Sequence, residues 1–260
     1  KNKHTRCIAL LHNMIPHEHR PGDRMFSRYM VRSSDAFLAL SQSVLDDLGQ
    51  FDNAKPRALC PHPLYDHFGE LIPREEAQRL LGIREERLVL FFGFIRAYKG
   101  LDLLLEAMGD ERMKRLGVRL IVAGEFYGDR QPYMEQIARL GIEERVILKT
   151  DFIPDQEVNR YFRACHLIAQ PYKTATQSGV TQIGFHFERP MLVTNVGGLA
   201  EVIPHLKAGY CVEPQPQEIA DAIVDYFENQ RETELTQGVK EEKGKYSWER
   251  LTAALERISA

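Results

Sequence analysis

Short apolar runs alternate with amphipathic segments over most of the chain. Residues 88–92, 118–123 and 146–148 are rich in aliphatic, β-branched and aromatic side chains, which predicts buried strands. Between them, residues 101–108 and 132–140 carry apolar side chains at helical spacing. Strands that alternate with helices of about ten residues indicate βαβ units, whose right-handed crossovers give a parallel sheet. The predicted fold class is therefore α/β, with a doubly wound parallel sheet.

The same alternation continues through the stretch 166–203, which follows a helix opened by Asp155. Two apolar runs in this stretch, separated by a polar loop and a short helix, predict two more buried strands. A short strand at 210–213 comes next. Ligands of such folds bind outside the carboxyl ends of the strands. We therefore expect the chemistry in the loops after Gln170 and Asn195.

The N-terminal part of the chain repeats the pattern on a smaller scale. It predicts strands at 6–11, 37–40 and 57–60 and helices at 23–32 and 41–49. These elements look like the second half of a Rossmann-like domain. Because the chain starts without Met and reaches a strand within a few residues, we expect that an N-terminal portion of this domain is missing.

Pro and Gly residues over 61–69 mark the expected domain boundary. We predict a partial N-terminal domain at 1–66, a larger domain at 67–245 and a C-terminal helix at 246–260. The apolar stripe of that last helix consists of Trp248, Leu251, Leu255 and Ile258.

Composition narrows the class of protein only slightly. The formal net charge of −3 gives no global attraction to nucleic acid or anionic membrane, so we expect no nucleic-acid partner. The four cysteines, Cys7, Cys60, Cys165 and Cys211, have neither metal-ligand nor disulfide-framework spacing, and we expect buried, reduced thiols; three of them, Cys7, Cys165 and Cys211, lie in or beside apolar runs. With no signal peptide and no apolar run of about 18 residues, the expected location is the cytoplasm.

Two segments carry a resemblance to a known family. Pro171, the Ser178-Gly179 turn, residues 190–193 and residues 197–201 together look like the signature region of family 4 (group 1) retaining nucleotide-sugar glycosyltransferases. A second segment, GFIRAYKG at 93–100, resembles the diphosphate-binding turn of that family. The resemblance implies the GT-B fold, two facing Rossmann-like domains, with the last helix crossing back to the first domain.

The resemblance also implies a reaction and its partners. The protein would transfer a sugar from a nucleotide diphosphate sugar, of UDP or GDP type, to a glycan or lipid-linked acceptor in cell-surface glycan synthesis. This donor is a substrate, and neither a further cofactor nor a metal is expected. Two alternatives stay open: a nucleotide-sugar epimerase, and a non-catalytic module that binds a nucleotide sugar in the same fold.

The turn at 93–100 lies between a predicted strand and helix, where backbone N–H groups and the helix dipole can hold a phosphate. Gly93 begins the turn, and Arg96 and Lys99 supply two cations for a diphosphate. The alternative is a solvated basic loop. The family usually has Arg directly after the first Gly, where this chain has Phe94, so Lys99 is the safer assignment.

The loop after Pro171 should approach the same phosphates. Ser178 and Gly179 can donate main-chain N–H groups at a helix N-terminus, and Ser178 also a hydroxyl, although an ordinary N-cap would have the same sequence. Lys173 is a further candidate cation. Together with Gln177, these residues are predicted to contact the donor.

One departure from the family pattern lies in this loop. The family has two glutamates eight positions apart, one contacting the donor sugar and the other the ribose, and this chain has Ala175 and Ile183 there. The polar contacts could be shifted to Gln177 and Gln182, sugar recognition could differ, or the protein could be weakly active.

The remaining site predictions follow from the resemblance. By this resemblance, Gly124 and Glu125, at the end of a strand, and Ile153 lie near the nucleotide, although Glu125 could equally have no ligand contact. His12 ends the first strand, where related enzymes often carry a His beside the donor sugar; the alternative is a solvated loop histidine. The neighbouring His17 and Glu18 are weaker candidates. Glu201, after the Gly197-Gly198 close-approach turn, is expected to face the ligand or to be structural.

Arginines recur every four residues near the N-terminus, at Arg20, Arg24, Arg28 and Arg32. Those within the predicted helix form one cationic stripe. Such a stripe could hold a phosphorylated lipid acceptor or the inner face of a membrane. The alternative is a solvated face that pairs with acidic neighbours.

Overall fold

A computed structural model describes residues 5–15, 21–84 and 87–259 of the chain. The strands are β1 (Ile8–Leu11), β2 (Ala36–Ala39), β3 (Arg57–Leu59), β4 (Leu88–Phe92), β5 (Arg119–Ala123), β6 (Val146–Lys149), β7 (Leu167–Gln170), β8 (Met191–Thr194) and β9 (Gly209–Val212). His17, Glu18 and Arg20 lie outside the described residues.

The helices lie between these strands and at the C-terminal end. They are α1 (Asp23–Ser33), α2 (Gln42–Gly49), α3 (Arg74–Leu81), α4 (Leu101–Met108), α5 (Glu111–Leu116), α6 (Gln131–Leu140), α7 (Asp155–Ala164), α8 (Gly179–His186), α9 (Gly198–Val202), α10 (Pro216–Glu228), α11 (Glu232–Lys243) and α12 (Trp248–Ser259). Two 3₁₀ turns occupy Ala97–Lys99 and Glu143–Arg145.

The larger sheet confirms the predicted parallel, doubly wound topology. Its six strands run in the order β6-β5-β4-β7-β8-β9, and every neighbouring pair is parallel. The strand order reverses between β4 and β7, which makes the space outside their carboxyl ends the topological switch point of the sheet. The loops after Phe92 and Gln170 therefore leave the sheet side by side.

Alternation along β4 builds a core on each face of this sheet. Val89 and Phe91 pack in the cluster that contains residues of α4, α6 and α10, whereas Leu88 and Leu90 pack in the cluster that contains residues of α7 and α8. Burial of each such side chain contributes about 1.5–3 kcal/mol. The sheet is thereby held between two helical layers, as the continuous apolar runs predicted.

The smaller sheet has the order β1-β2-β3, again parallel. Helix α12 packs on it through Leu251 and Ala254, in a cluster with Leu38, Leu40 and Cys60. Trp248, which we placed on the same apolar stripe, is half exposed, because it opens the helix at one end of this cluster. The domain boundaries at 66 and 245 stay predictions.

Four helices were not predicted from the sequence: α3, α5, α10 and α11. Helix α3 is polar and buries only Ala77 and Gln78, while α5 has six residues. Short segments rich in charged residues, such as these two, are easily read as loops. Their positions extend the helical layers on the two faces of the larger sheet.

The cysteine prediction was wrong for Cys7. All four cysteines are free, and Cys60 and Cys165 are buried, but Cys7 is exposed and Cys211 partly exposed. Cys7 precedes β1, an edge strand of the smaller sheet, so little structure covers it. Among the described residues, no helix is both long and apolar enough to cross a membrane.

Candidate functional site

Gly93 lies where three parts of the site meet. Its φ angle of 94° favours glycine, and a Cβ atom there would lie 3.1 Å from Nζ of Lys99 and 3.8 Å from a methyl carbon of Val180. The missing side chain therefore lets the ammonium group of Lys99 and the first turn of α8 approach the end of β4.

The ammonium group of Lys99 is partly buried and has no counter-charge among the described residues. Burial lowers the pKa of Lys99; Tyr98 opposes this shift, and the charge of Arg96 adds to it. Within the described part of the chain, its Nζ atom has no hydrogen bond or ion pair, and lies 5.7 Å from the ring centroid of Tyr172. An unpaired buried charge is costly in the unliganded protein, and an incoming anion would remove that cost.

The N-terminus of α8 points into the same region. Ser178 occupies the N-cap position but makes no side-chain cap to the helix; instead, its Oγ atom lies 3.2 Å from the hydroxyl of Tyr172. In the described ranges of the chain, no side chain accepts a hydrogen bond from the first N–H groups of α8. Like any helix N-terminus of this kind, they favour an anion.

A small apolar cavity of about 150 Å³ opens on the other side of Gly93. It brings together four predicted site residues, Gly93, Gly124, Glu125 and Ile153. Gly124 must lack a side chain, since a Cβ atom would lie 2.5 Å from the Gly93 carbonyl oxygen. Phe92, Phe94 and Phe152 complete the lining, and the last two rings are exposed.

The two other predicted cations already have partners. Nζ of Lys173 lies 2.6 Å from Oδ2 of Asp102, so its charge is compensated. The guanidinium carbon of Arg96 lies 3.8 Å from the ring centroid of Tyr127, a cation–π arrangement. Lys99 is therefore the cation of this group that most requires an anionic ligand.

A second cavity, of about 250 Å³, lies between the two sheets. Four predicted residues line it, namely His12, Gln177, Ser178 and Gly179. The others are Asn13, His62, Tyr65, Tyr98, Ala175 and Thr176. Because Ser178 and Gly179 also form the N-terminus of α8, this cavity adjoins the unpaired ammonium group.

His62 and Tyr65 were missed by the sequence analysis. They come from the connection between the sheets, where Nδ1 of His62 lies 2.7 Å from the Pro63 carbonyl oxygen and the Tyr65 hydroxyl 3.1 Å from Nε2 of His62. The Tyr65 ring covers the start of α8, since a Cβ atom on Gly179 would lie 3.1 Å from it. The cluster PHPLYDHF at 61–68 was the available signal, because so many aromatic and His residues are unusual in a linker.

His12 and Gln177 join the two sides of this cavity. The Gln177 side-chain nitrogen lies 2.7 Å from Nδ1 of His12 and 3.3 Å from its carbonyl oxygen. Burial, with a smaller contribution from the neighbouring His62, lowers the pKa of His12. His12 is therefore neutral near pH 7, where unperturbed histidine is already mostly deprotonated.

The two positions at which the resembling family has glutamates are apolar and buried. Ala175 is 7% exposed and Ile183 is 6% exposed. Gln182 is also buried, and its Oε1 atom has no hydrogen-bond partner among the described residues. Of the two nearby glutamines, Gln177 is the one that lines the cavity.

The Gly197-Gly198 turn confirms the predicted close approach. A Cβ atom would lie 1.7 Å from the Ala175 carbonyl oxygen at Gly197 and 2.0 Å from the Thr176 carbonyl oxygen at Gly198. Only glycine allows the loops after β7 and β8 to touch in this way.

Glu201 is structural in this arrangement. Its carboxylate accepts hydrogen bonds from the backbone N–H groups of Gln42, at 2.8 Å, and Ser43, at 3.1 Å. It therefore caps the N-terminus of α2 from across the gap between the sheets, in addition to the local cap by Ser41. These hydrogen bonds show the structural role, which is one of the two expectations for Glu201.

The parts of the site follow one another in a continuous line. An apolar cavity borders Gly93, Gly93 borders the Lys99 ammonium group and α8, and α8 borders the His12 cavity. Such a line suits an elongated ligand with a flat apolar end, an anionic middle and a polar end. Among the described residues, no group of three or more His, Cys, Asp or Glu side chains could hold a metal ion.

Comparison with known proteins gives a family match. The family model described as "Glycosyl transferases group 1" matches residues 86–229. Among curated relatives, D-inositol 3-phosphate glycosyltransferase of Segniliparus rotundus is 28% identical over 190 residues, which cover 71% of this chain and 42% of the relative. GDP-mannose:glycolipid 4-beta-D-mannosyltransferase of Xanthomonas campestris is 25% identical over 194 residues, covering 72% and 50%. The chain thus spans about half the length of these relatives.

Solved structures share the fold. Anabaena HepE in complex with UDP superposes with a TM-score of 0.82 at 19% identity, covering 98% of this chain and 71% of that one. Sucrose-phosphate synthase from Thermosynechococcus elongatus gives a TM-score of 0.80 at 16% identity, covering 97% and 66%. Both sheets and their connection are included in these superpositions, as the coverage requires.

Proposed function

Because the chain belongs to the group 1 glycosyl transferases and has their GT-B fold, we propose that it moves a sugar from a nucleotide diphosphate sugar to an acceptor. The observation that carries this proposal is the partly buried Lys99 ammonium group, which has no hydrogen bond or ion pair among the described residues. It lies beside an uncapped helix N-terminus. A diphosphate supplies the anion that both features require.

The donor would lie along the line of the site. The base fits the apolar cavity beside Phe94 and Phe152, whose exposed rings offer stacking surfaces. The diphosphate would lie against Lys99 and the Gly179 end of α8, and the sugar would extend toward His12. This order follows from Gly93, which borders both the apolar cavity and the ammonium group.

Catalysis would rest on charge stabilisation at the leaving group. As the bond between sugar and diphosphate breaks, negative charge develops on the departing phosphate, and preorganised donors there lower the barrier. Lys99, Arg96 and the N–H groups of Ser178 and Gly179 are the groups available. Retention at the anomeric carbon is part of the proposal and rests on the family resemblance.

A screen of nucleotides tests the proposal. We expect that UDP or GDP, but not both equally, raises the melting temperature of the full-length protein, because a ligand that binds only the folded state stabilises it. Calorimetry gives the affinity, and sugar conjugates of the better nucleotide identify the donor. The absence of any nucleotide binding would contradict the proposal.

Product analysis in the same experiment separates the alternatives. Transfer to an added glycan or lipid acceptor identifies a transferase, whereas conversion of the donor sugar without an acceptor identifies an epimerase. Tight binding with neither reaction would identify a non-catalytic module, which the buried apolar side chains of Ala175 and Ile183 favour.

The acceptor belongs to the finer part of the proposal. We infer a lipid-linked acceptor at the inner face of a membrane, reached through α1. Three large apolar side chains of this helix are exposed: Met25 by 63%, Phe26 by 66% and Tyr29 by 72%. Arg24, Arg28 and Arg32 flank them on the helix surface and are also exposed. An apolar stripe edged by arginines suits an anionic lipid surface.

Replacing Phe26 and Tyr29 together by serine tests the membrane contact. We expect the full-length double variant to lose most of its binding to vesicles that contain anionic lipid, because the inserted apolar area is removed. Co-sedimentation with vesicles measures this, and replacing the exposed Phe152 by serine provides the control. If the wild-type protein does not bind such vesicles, the inference is wrong. The exposed apolar side chains of α1 would then be covered by another part of the protein.

A further inference from the structure

The contact between Gln177 and His12 fixes the orientation of the Gln177 amide group and the tautomer of the His12 ring. The Gln177 nitrogen approaches two atoms of His12, the ring Nδ1 atom and the carbonyl oxygen. A carbonyl oxygen only accepts hydrogen bonds, so the amide group must present its NH₂ end here. The carbonyl oxygen of His12 therefore fixes the orientation of the Gln177 amide group.

The amide orientation then determines the tautomer of the ring. An N–H donor at 2.7 Å from Nδ1 requires that Nδ1 accept the hydrogen bond and carry no proton. In a neutral ring the proton must then lie on Nε2. Within the described part of the chain, Nε2 of His12 has no hydrogen-bond partner, so its N–H group remains available.

The surroundings keep His12 neutral. The titratable side chains that line the cavity, among the described residues, are His12, His62, Tyr65 and Tyr98, and no carboxylate is among them. The ring centroids of His12 and His62 are 5.4 Å apart, and Nδ1 of His62 donates to the Pro63 carbonyl oxygen. The described lining therefore offers no anionic partner to an imidazolium ion at His12.

We propose that Gln177 is a positioning residue that holds His12 as a neutral Nε2–H donor facing the cavity between the sheets. His12 then donates a hydrogen bond to an oxygen of the bound ligand and is not a general base through Nε2. The ligand class for this position is an acceptor oxygen, either a hydroxyl of the donor sugar or a phosphate oxygen. This last step rests on the proposed function, whereas the tautomer does not.

NMR of the full-length protein with ¹⁵N-labelled histidine tests the tautomer without any ligand. The spectrum of a His12→Asn variant identifies the His12 signals. In the wild type we expect a protonated Nε2, an unprotonated Nδ1 and a pKa below the usual value near 6.5. A wild-type spectrum with the proton on Nδ1 would overturn the proposal.

Gln177→Glu provides the discriminating variant. A carboxylate at this position accepts a hydrogen bond, so the proton should move to Nδ1 and the pKa of His12 should rise above its usual value. Gln215→Glu, outside the cavity, controls for the added charge and should leave the His12 signals in place. A Gln177→Glu spectrum identical to the wild type would also overturn the proposal.

Turnover separates this inference from the proposed function. Where transfer is measurable, Gln177→Glu should move the acidic limb of the rate profile to higher pH, because the His12 ring would charge earlier. If the NMR results are as expected but no nucleotide sugar binds, the tautomer assignment stands and the proposed function fails. If binding and transfer occur with Nδ1 protonated, the proposed function stands and the tautomer assignment fails.

Discussion

Replacing Lys99 by alanine should lower the transfer rate by about 10²–10³-fold, the usual cost of removing one donor that stabilises developing charge. The variant should also lose nucleotide affinity, because the diphosphate loses the partly buried cation beside Gly93. Its stability without ligand should not fall, since removing an unpaired, partly buried charge relieves a desolvation cost. Activity assays, calorimetry and thermal unfolding measure the three effects.

Two further variants make the Lys99 result specific. Lys114→Ala removes an exposed lysine of α5 and should change neither rate nor affinity. Lys99→Arg retains the charge and should recover part of the nucleotide affinity. If Lys99→Ala folds normally and binds nucleotide as tightly as the wild type, the diphosphate assignment is wrong.

Replacing Gly197 by alanine should destabilise the fold by about 3–5 kcal/mol, through backbone strain combined with overpacking. The residue has a φ angle of 46°, and the new Cβ atom would lie 1.7 Å from the Ala175 carbonyl oxygen. The loops after β7 and β8 must separate to accept it, which moves Gln177 away from His12. We therefore expect weaker donor binding in any protein that still folds.

The Gly141→Ala variant separates the cost of backbone strain from the cost of overpacking. Gly141 has a φ angle of 62°, similar to that of Gly197, but a Cβ atom there meets nothing within 4 Å. This variant should cost only about 1–2 kcal/mol, the ordinary penalty of a left-handed backbone for a non-glycine residue. Urea unfolding of both variants gives the comparison, and equal losses of stability would show that the loop contact is not important.

The sequence was sufficient to identify the strands of the larger sheet. Its apolar runs are short and continuous and end at turn residues, and these local signals identified β4 to β9. The order of the strands, and with it the switch point between β4 and β7, comes from the structure. Two of the missed helices also have start or stop signals in the local sequence. Pro73 precedes α3 and Gly82 follows it, and Pro216 lies at the start of α10.

The candidate site was harder to predict because its contacts are long-range. The pair of Lys173 with Asp102 joins residues 71 positions apart, and that of Gln177 with His12 joins residues 165 apart. Residue type showed that these side chains could bind a ligand, but only the fold shows which already bind each other. The burial of the unpaired Lys99 is likewise a property of the packed structure.

The cap that Glu201 provides to α2 has a consequence for motion. Its two hydrogen bonds join the sheets through exposed polar groups, so water can replace them when the cleft widens. A carboxylate at a helix N-terminus contributes about 0.3–1 kcal/mol at an exposed site. Taken alone, this energy changes a closed-to-open ratio by only about two- to fivefold, and a ligand that binds the closed form more tightly would shift that ratio further.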